Sequence, residues 1–298
     1  MKGEYPEMVF QFAKVLGTNI AYFLFNVPNR GTRIPPFQMV WAEMSGVKPK
    51  DILKSNSQTV ARSVRDYVFK FDDIIDEGKM QPAKAPFHPE LFSARHVYRS
   101  LEGARTQAPL RELHGIFQVG RQRMLNAISQ KQPSTFKETY NYRLKTTGEY
   151  CTLVAKLMNK IHGVQNGGDI ERRFRHFGLA AQFFDDIMDV RLDKENGLPN
   201  LFTSLLREEP FEEESLRARK GVQKIFALKR YAPKTFRRYV SEYEKEMGIA
   251  SHGSIAIRSL LWGAKQALFR FGVQTRSRKP ELDGEKRQGE EAMERVRP

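Results

Sequence analysis

Apolar residues recur at three- and four-residue steps through Met8–Leu24, Ile52–Ile75, Leu110–Ile128, Tyr140–Ile161, Phe174–Val190, Val222–Tyr231 and Ile255–Phe271. That spacing puts one apolar face on an α-helix. Alternating patterns that would make half-buried strands are missing. Breaks fall at Pro28–Gly31, Pro35-Pro36, Gly78–Pro89, Gln132–Ser134, Gly163–Gly168 and Gly197–Pro199, where Gly and Pro punctuate the helical runs. Asp169, just after Gly167-Gly168, is expected to cap a helix by accepting free backbone N–H groups. The pattern predicts an all-α protein of roughly nine to eleven helices.

The chain has 298 residues, 40% of them apolar, and 33 aromatics, so it can bury a full core. From Gln274 the composition changes: 13 of the last 25 residues are charged, with little apolar relief. Such a segment cannot bury enough surface to offset its ordering. Residues 1–273 are therefore read as one all-α domain and 274–298 as a charged, disordered tail. A single cysteine, Cys151, excludes an internal disulfide framework and a cysteine-rich zinc site. The longest uncharged run, Val15–Asn29, is too short and too polar to span a bilayer. No basic-then-apolar leader is read at the start, so a cytoplasmic protein is expected.

Fifty basic residues against 35 acidic give a net charge of +15. This excess attracts an anionic partner: nucleic acid, anionic lipid or a phosphorylated small molecule. Zinc-finger spacing, an RNP-like aromatic motif and a glycine-rich phosphate loop are all missing, so nucleic acid is not expected as a partner.

Two acidic clusters interrupt apolar helical stretches. One is Phe71-Asp72-Asp73-Ile74-Ile75-Asp76; the other runs Gln182-Phe183-Phe184-Asp185-Asp186-Ile187-Met188-Asp189-Val190-Arg191-Leu192-Asp193. Helix positions i and i+4 lie about 40° apart, so Asp72 and Asp76 share a face, and Asp185, Asp189 and Asp193 form a stripe over two turns. Like charges so placed repel, and an unpaired carboxylate among Phe, Ile and Met is costly. Basic side chains or a hard divalent cation could neutralise them, and carboxylate oxygens suit Mg²⁺. A di-iron bundle site would need Glu-x-x-His pairs, which none of the six histidines supplies.

With these clusters in view, the sequence resembles the class I isoprenoid synthases, over residues 30 to about 205. Gln182-x-x-Asp185-Asp186-x-x-Asp189, preceded by Phe177-Gly178-Leu179-Ala180-Ala181, is similar to the second aspartate motif of the trans-polyprenyl diphosphate synthases. Lys145-Thr146 resembles their Lys-Thr pair, and Gly31-Thr32-Arg33-Ile34-Pro35-Pro36 partly resembles their N-terminal diphosphate grip. The resemblance implies a single-domain helical bundle with a central cavity. It also implies three Mg²⁺ ions held between the motifs, and isoprenyl diphosphate substrates. Asp72, Asp76, Asp185 and Asp189 would be catalytic, joined as metal ligands by Asp73, Asp186 and Asp193. Arg33, Lys145, Thr146, Gln182 and Lys194 would face substrate. Tyr67, five residues before Asp72, would floor the pocket and keep the product short. Homodimers are usual in that branch, and an apolar product with a basic surface fits peripheral membrane association.

Other residues point to a different branch. Gly78-Lys79-Met80-Gln81 stands where Arg-Arg-Gly is usual, Pro35 replaces an arginine, and Gly197-Leu198-Pro199 replaces Gly-Lys-Pro. Asp189 with Asp193, the run Tyr67–Asp76, and Tyr150-Cys151 followed by Val154-Ala155 resemble squalene/phytoene synthases. A relaxed terpene-cyclase triad at 185, 189 and 193 also fits. The expected activity is therefore Mg²⁺-dependent prenyl transfer. Head-to-head coupling, cyclisation and a non-catalytic synthase subunit are the alternatives.

Overall fold

The computed structural model describes residues 36–76, 94–106, 108–129, 133–217 and 225–266, and the side chains of 71–76 lie outside that description. The chain folds as all-α. Its helices are α1 (Pro36–Ser45), α2 (Pro49–Ser55), α3 (Ser57–Asp76), α4 (Arg95–Glu102), α5 (Leu110–Ile128) and α6 (Phe136–Arg143). A π-helical turn, Leu144–Gly148, leads into α7 (Glu149–His162), followed by α8 (Gly167–Met188) and α9 (Val190–Asn196). Then come α10 (Leu201–Arg207), α11 (Pro210–Arg217), α12 (Ile225–Tyr231), α13 (Pro233–Ala250) and α14 (Ile255–Lys265). Among the described residues there is no strand. No helix among them is long and apolar enough to cross a membrane.

The run expected over Leu110–Ile128 is α5 to the residue. Elsewhere local chemistry redraws the boundaries. The run Ile52–Ile75 is split by Asn56, which sits in the left-handed region at φ 59° and ends α2. Asn tolerates that conformation because its short polar side chain bonds locally; here Asn56 Oδ1 accepts from the Thr59 hydroxyl at 2.6 Å. Asp169 is not the cap of α8: Asn166 occupies that position, and Asp169 lies in the first turn, paired with Arg172. There its charge still complements the helix N-terminus. Helix α13 went unread because its buried face includes the polar Thr235 and Glu246 between Phe236, Tyr239 and Tyr243.

Helix α7 is the spine. At one end Ser57 Oγ, at the start of α3, lies 2.8 Å from His162 Nε2, at the close of α7. Helix α3 packs on α7 and therefore runs antiparallel to it. Helix α5 does the same: Lys160 pairs with Glu112 at 2.7 Å and Arg123 with Glu149 at 3.2 Å. The tight turn at Gly163, φ 65°, sends α8 back along the spine. Thus α3, α5 and α8 point their C-termini at one end of the bundle, where α7 begins.

The closest approach in the core is between α7 and α8. A Cβ on Gly178 would stand 2.2 Å from Cys151 Sγ. Around this contact the core is aromatic: Phe37, Phe174 and Phe177 pack beside Tyr150. Phe183 and Phe184 meet Tyr239 and Tyr243 edge-on. Buried aromatic tips need acceptors, and the structure supplies them. Trp41 Nε1 donates to Asn159 Oδ1 at 2.9 Å, Tyr243 donates to the Leu261 carbonyl at 2.8 Å, and Tyr239 donates to the Phe183 carbonyl.

Gly178→Ala is expected to destabilise the chain by about 1–3 kcal/mol, because the added methyl overpacks a site with no free volume. Urea unfolding checks this. Adding Cys151→Ala should recover part of the loss, since the thiol is the atom in the way.

Candidate functional site

The two aspartate segments occupy the C-terminal ends of α3 and α8, and both helices run toward the end of the bundle where α7 begins. The register follows from the packing. Fifteen residues along α3 from Ser57 bring the chain to Asp72, and fifteen back along α7 from His162 bring it to Thr147. At 1.5 Å per residue, each stands about 22 Å from the Ser57–His162 contact. On α8, Gln182 is level with Thr147, whose hydroxyl donates to Gln182 Oε1 at 2.7 Å. By helix rise alone, the backbone at Asp72 and the side chain of Gln182 are about equally far along the spine from that contact. The carboxylates of Asp72, Asp73 and Asp76 lie outside the described residues, as does Arg33.

The second cluster is described side chain by side chain. Asp186 has no exposure at all and is met from three sides. Arg143 Nη2 donates to its Oδ1 at 2.7 Å, Gln182 Nε2 to the same oxygen at 2.6 Å, and the Leu201 N–H to Oδ2 at 2.6 Å. Arg143 Nη2 also donates to the Pro199 carbonyl at 2.6 Å, tying the link between α9 and α10 to the start of the π turn. Gln182 Nε2 donates in addition to Asp185 Oδ2 at 3.1 Å. Asp185 lies half-exposed between core and solvent, and Asp189 is exposed.

The stripe expected over one continuous helix is broken. Helix α8 ends at Met188, and Asp189 sits at φ −104°, ψ 15°, with α9 starting anew at Val190. Asp193 is thereby turned inward, 8% exposed, with Asn200 Nδ2 donating to its Oδ2 at 2.7 Å. The same amide group donates to the Asp186 carbonyl, and Asn200 Oδ1 accepts the Thr203 N–H at 3.0 Å as the cap of α10. The left-handed Gly197, φ 67°, closes α9 and lets the chain reach Pro199 and Asn200.

Three neighbouring carboxylates share one cation, and their acidities report it. Burial raises the Asp193 carboxyl to about 8, with the Asp186 charge adding to the effect. Burial likewise raises Asp185, again reinforced by Asp186 and opposed by Arg143 and Gln182. Burial also raises Asp186, though Arg143 and the Leu201 N–H pull the other way. The helix C-termini around them add partial negative charge.

The remaining expected residues divide. Lys145, in the π turn, and Lys194, on α9, are both exposed. The Thr146 hydroxyl is spent within its own helix, donating to the Tyr142 carbonyl at 3.0 Å, while Thr147 makes the link to Gln182. Tyr67 is fully buried in edge contact with Phe117, its hydroxyl accepting from Arg121 Nε. Sequence reasoning missed Arg143, Thr147 and Asn200. Asn200, directly before an apolar run and after a proline, carried the signature of a helix cap.

Among the described residues, no three His, Cys, Asp or Glu side chains lie close enough to hold one ion between them. An open cleft of about 370 Å³ lies at the α7–α8 turn, lined by Met44, Val164, Asn166 and Ile170 and at the far end of α8 from Asp185. Compared with known proteins, the chain matches no family model, no curated protein and no solved structure.

Removing Arg143 leaves a buried carboxylate unpaired, so Arg143→Met is expected to cost about 3–5 kcal/mol in urea unfolding. Arg143→Met with Asp186→Leu should recover part of it, because no charge is then stranded. The Asp193 carboxyl gives a pH test. Its acidity in the fold is weaker than its ordinary 3.8. The folded chain thus binds the proton more tightly, and the stability this contributes is full below about pH 4 and lost as pH rises through about 8. In metal-free buffer, Asp193→Asn should match the parent near pH 4 and exceed its melting temperature at pH 8.

Proposed function

We propose that the chain is a cytoplasmic, Mg²⁺-dependent prenyltransferase that ionises an allylic isoprenyl diphosphate and couples it to a second isoprenoid diphosphate. What supports this reading most directly is the direction of α3 and α8: two aspartate-bearing helices, distant in sequence, both run toward the end of the bundle where α7 begins. An all-α bundle around a central cavity is the scaffold in this reading, and a homodimer its assembly.

The donor chemistry suits the metal. The carboxylate oxygens are hard donors of the kind Mg²⁺ takes, and burial weakens the acidity of Asp185 and Asp193, an effect that a bound cation would offset. In this reading each ion would bridge the two segments, with Asp185, Asp189 and Asp193 contributing from α8 and α9 and Asp72, Asp73 and Asp76 from α3, since no three described acidic side chains hold one ion by themselves. Asp186, whose oxygens are taken by Arg143, Gln182 and Leu201, supports its neighbours. Bound Mg²⁺ would supply Lewis-acid neutralisation of the diphosphate oxygens.

The chain's own residues supply the rest of the chemistry. Lys145 and Lys194, both exposed, would carry cationic tips for the departing diphosphate, with Arg33 assigned to the second substrate. Preorganised charge of this kind acts as the C–O bond breaks and negative charge gathers on the leaving group. The aromatic interior around Phe183 and Phe184 keeps water from the cation left behind. Tyr67, held by Phe117 and Arg121, closes the pocket from below in this reading and limits chain length.

The test is incubation of the purified chain with geranyl or farnesyl diphosphate and Mg²⁺, with and without isopentenyl diphosphate. Longer diphosphates are expected, and EDTA should abolish their formation. Asp76→Asn and Asp189→Asn should each lower turnover about a hundredfold or more, with unchanged helical circular dichroism. Diphosphate-free linear hydrocarbons would indicate head-to-head coupling, and cyclic ones cyclisation. No release of diphosphate from any allylic substrate would overturn the reading.

A further inference from the structure

Asn200 does three jobs from a position only 2% exposed. Its side-chain oxygen caps α10 by accepting the Thr203 N–H. Its side-chain nitrogen donates to the Asp186 carbonyl, in the last turn of α8, and to Asp193 Oδ2, on α9. The two acceptors lie on opposite sides of the backbone break at Asp189. Pro199, its neighbour, is fixed by Arg143, so Asn200 reaches the break from an anchored base.

We infer that Asn200 is a positioning residue: its amide sets the angle between α8 and α9, and so places Asp193 relative to Asp185 and Asp189. The inference rests on the prenyltransferase reading for the ligand concerned, but its geometry stands on the hydrogen bonds alone. An asparagine suits the task because one planar amide offers an acceptor on one arm and two N–H donors on the other. A carboxylate would repel Asp193, and a hydroxyl is too short to keep both donor contacts. Groups that orient metal-binding side chains without touching the ion commonly change metal affinity by about 10–100-fold when lost.

The experiment titrates inorganic diphosphate into the full chain by calorimetry, with and without Mg²⁺. Asn200→Ser keeps a good helix cap but loses the amide donors. It should weaken Mg²⁺-dependent diphosphate binding about tenfold; the two acceptors it strands lower the melting temperature as well, so binding is read well below the unfolding transition. In an Asp193→Asn background the same substitution should add no further loss, since the positioned group is already altered. Asn200→Asp, which keeps the cap oxygen and the shape, should weaken binding at least as much and serves if the serine variant fails to fold. Undiminished binding by both Asn200 variants overturns the inference. So does an equal further loss in the Asp193→Asn background, which would mark a purely structural role. Absence of Mg²⁺-dependent diphosphate binding by the parent chain overturns the prenyltransferase reading, and this inference with it.

Discussion

A fully enclosed carboxylate has to be matched by an opposite charge, and the lower half of this molecule is organised around that requirement at Asp186. Its partner, Arg143, comes from a helix 43 residues away, and the pair fixes where α6 ends relative to the tail of α8. Buried pairs are poor sources of net stability because both ions lose water. Their value lies in specificity: few other arrangements satisfy Arg143, Gln182, the Leu201 N–H and the Pro199 carbonyl together. Once that node is set, the link from α9 to α10 has little freedom, and the exposed edge of the acidic cluster is left facing outward.

The spine helix distributes this constraint through the fold. Helices α3, α5 and α8 run antiparallel to α7, and α5 and α8 each bring a glycine, Gly120 and Gly178, into close contact with Leu153 and Cys151 on it. Three parallel neighbours then deliver their C-termini, and with them their partial negative charge, to a common end. Acidic side chains added there compound the field instead of cancelling it. Such an arrangement is unfavourable for a bundle with no use for cations, and it gives the excess positive charge of the chain a local counterpart.

Much of the fold was legible because it depends on periodicity. The three-and-four spacing matched α5 to the residue and placed the ends of α7 and α8 within two positions, but it ran α6, the π turn and α7 together and began α8 at Phe174 where the helix starts at Gly167. It failed where single residues override the period. Asn56 turned left-handed and cut one run in two, and the interior of α13 accepts Thr235 and Glu246 because Glu212 and Tyr140 bond to them. At the site, the aspartates declared themselves as charges in apolar surroundings and Asn200 carried only a cap signature, whereas Arg143 and Thr147 gave no sign. Nothing in their immediate sequence distinguishes an arginine that is buried from one that is solvated. Only the tertiary partner, dozens of residues away, makes that difference, and the swap from Thr146 to Thr147 turns on a local change of helical pitch.

That change of pitch sits at Leu144–Gly148. Arg143, Thr147 and Cys151 meet Asp186, Gln182 and Gly178 in turn, three rungs at four-residue intervals on both helices. In a regular α-helix each such step overshoots a full turn by about 40°, so a three-rung ladder would veer off its neighbour. The wider π turn winds less per residue and cancels the overshoot where the first rung meets the second. The spine thus behaves as a screw with one stretched thread, cut so that charge, amide and thiol all mesh with the same groove.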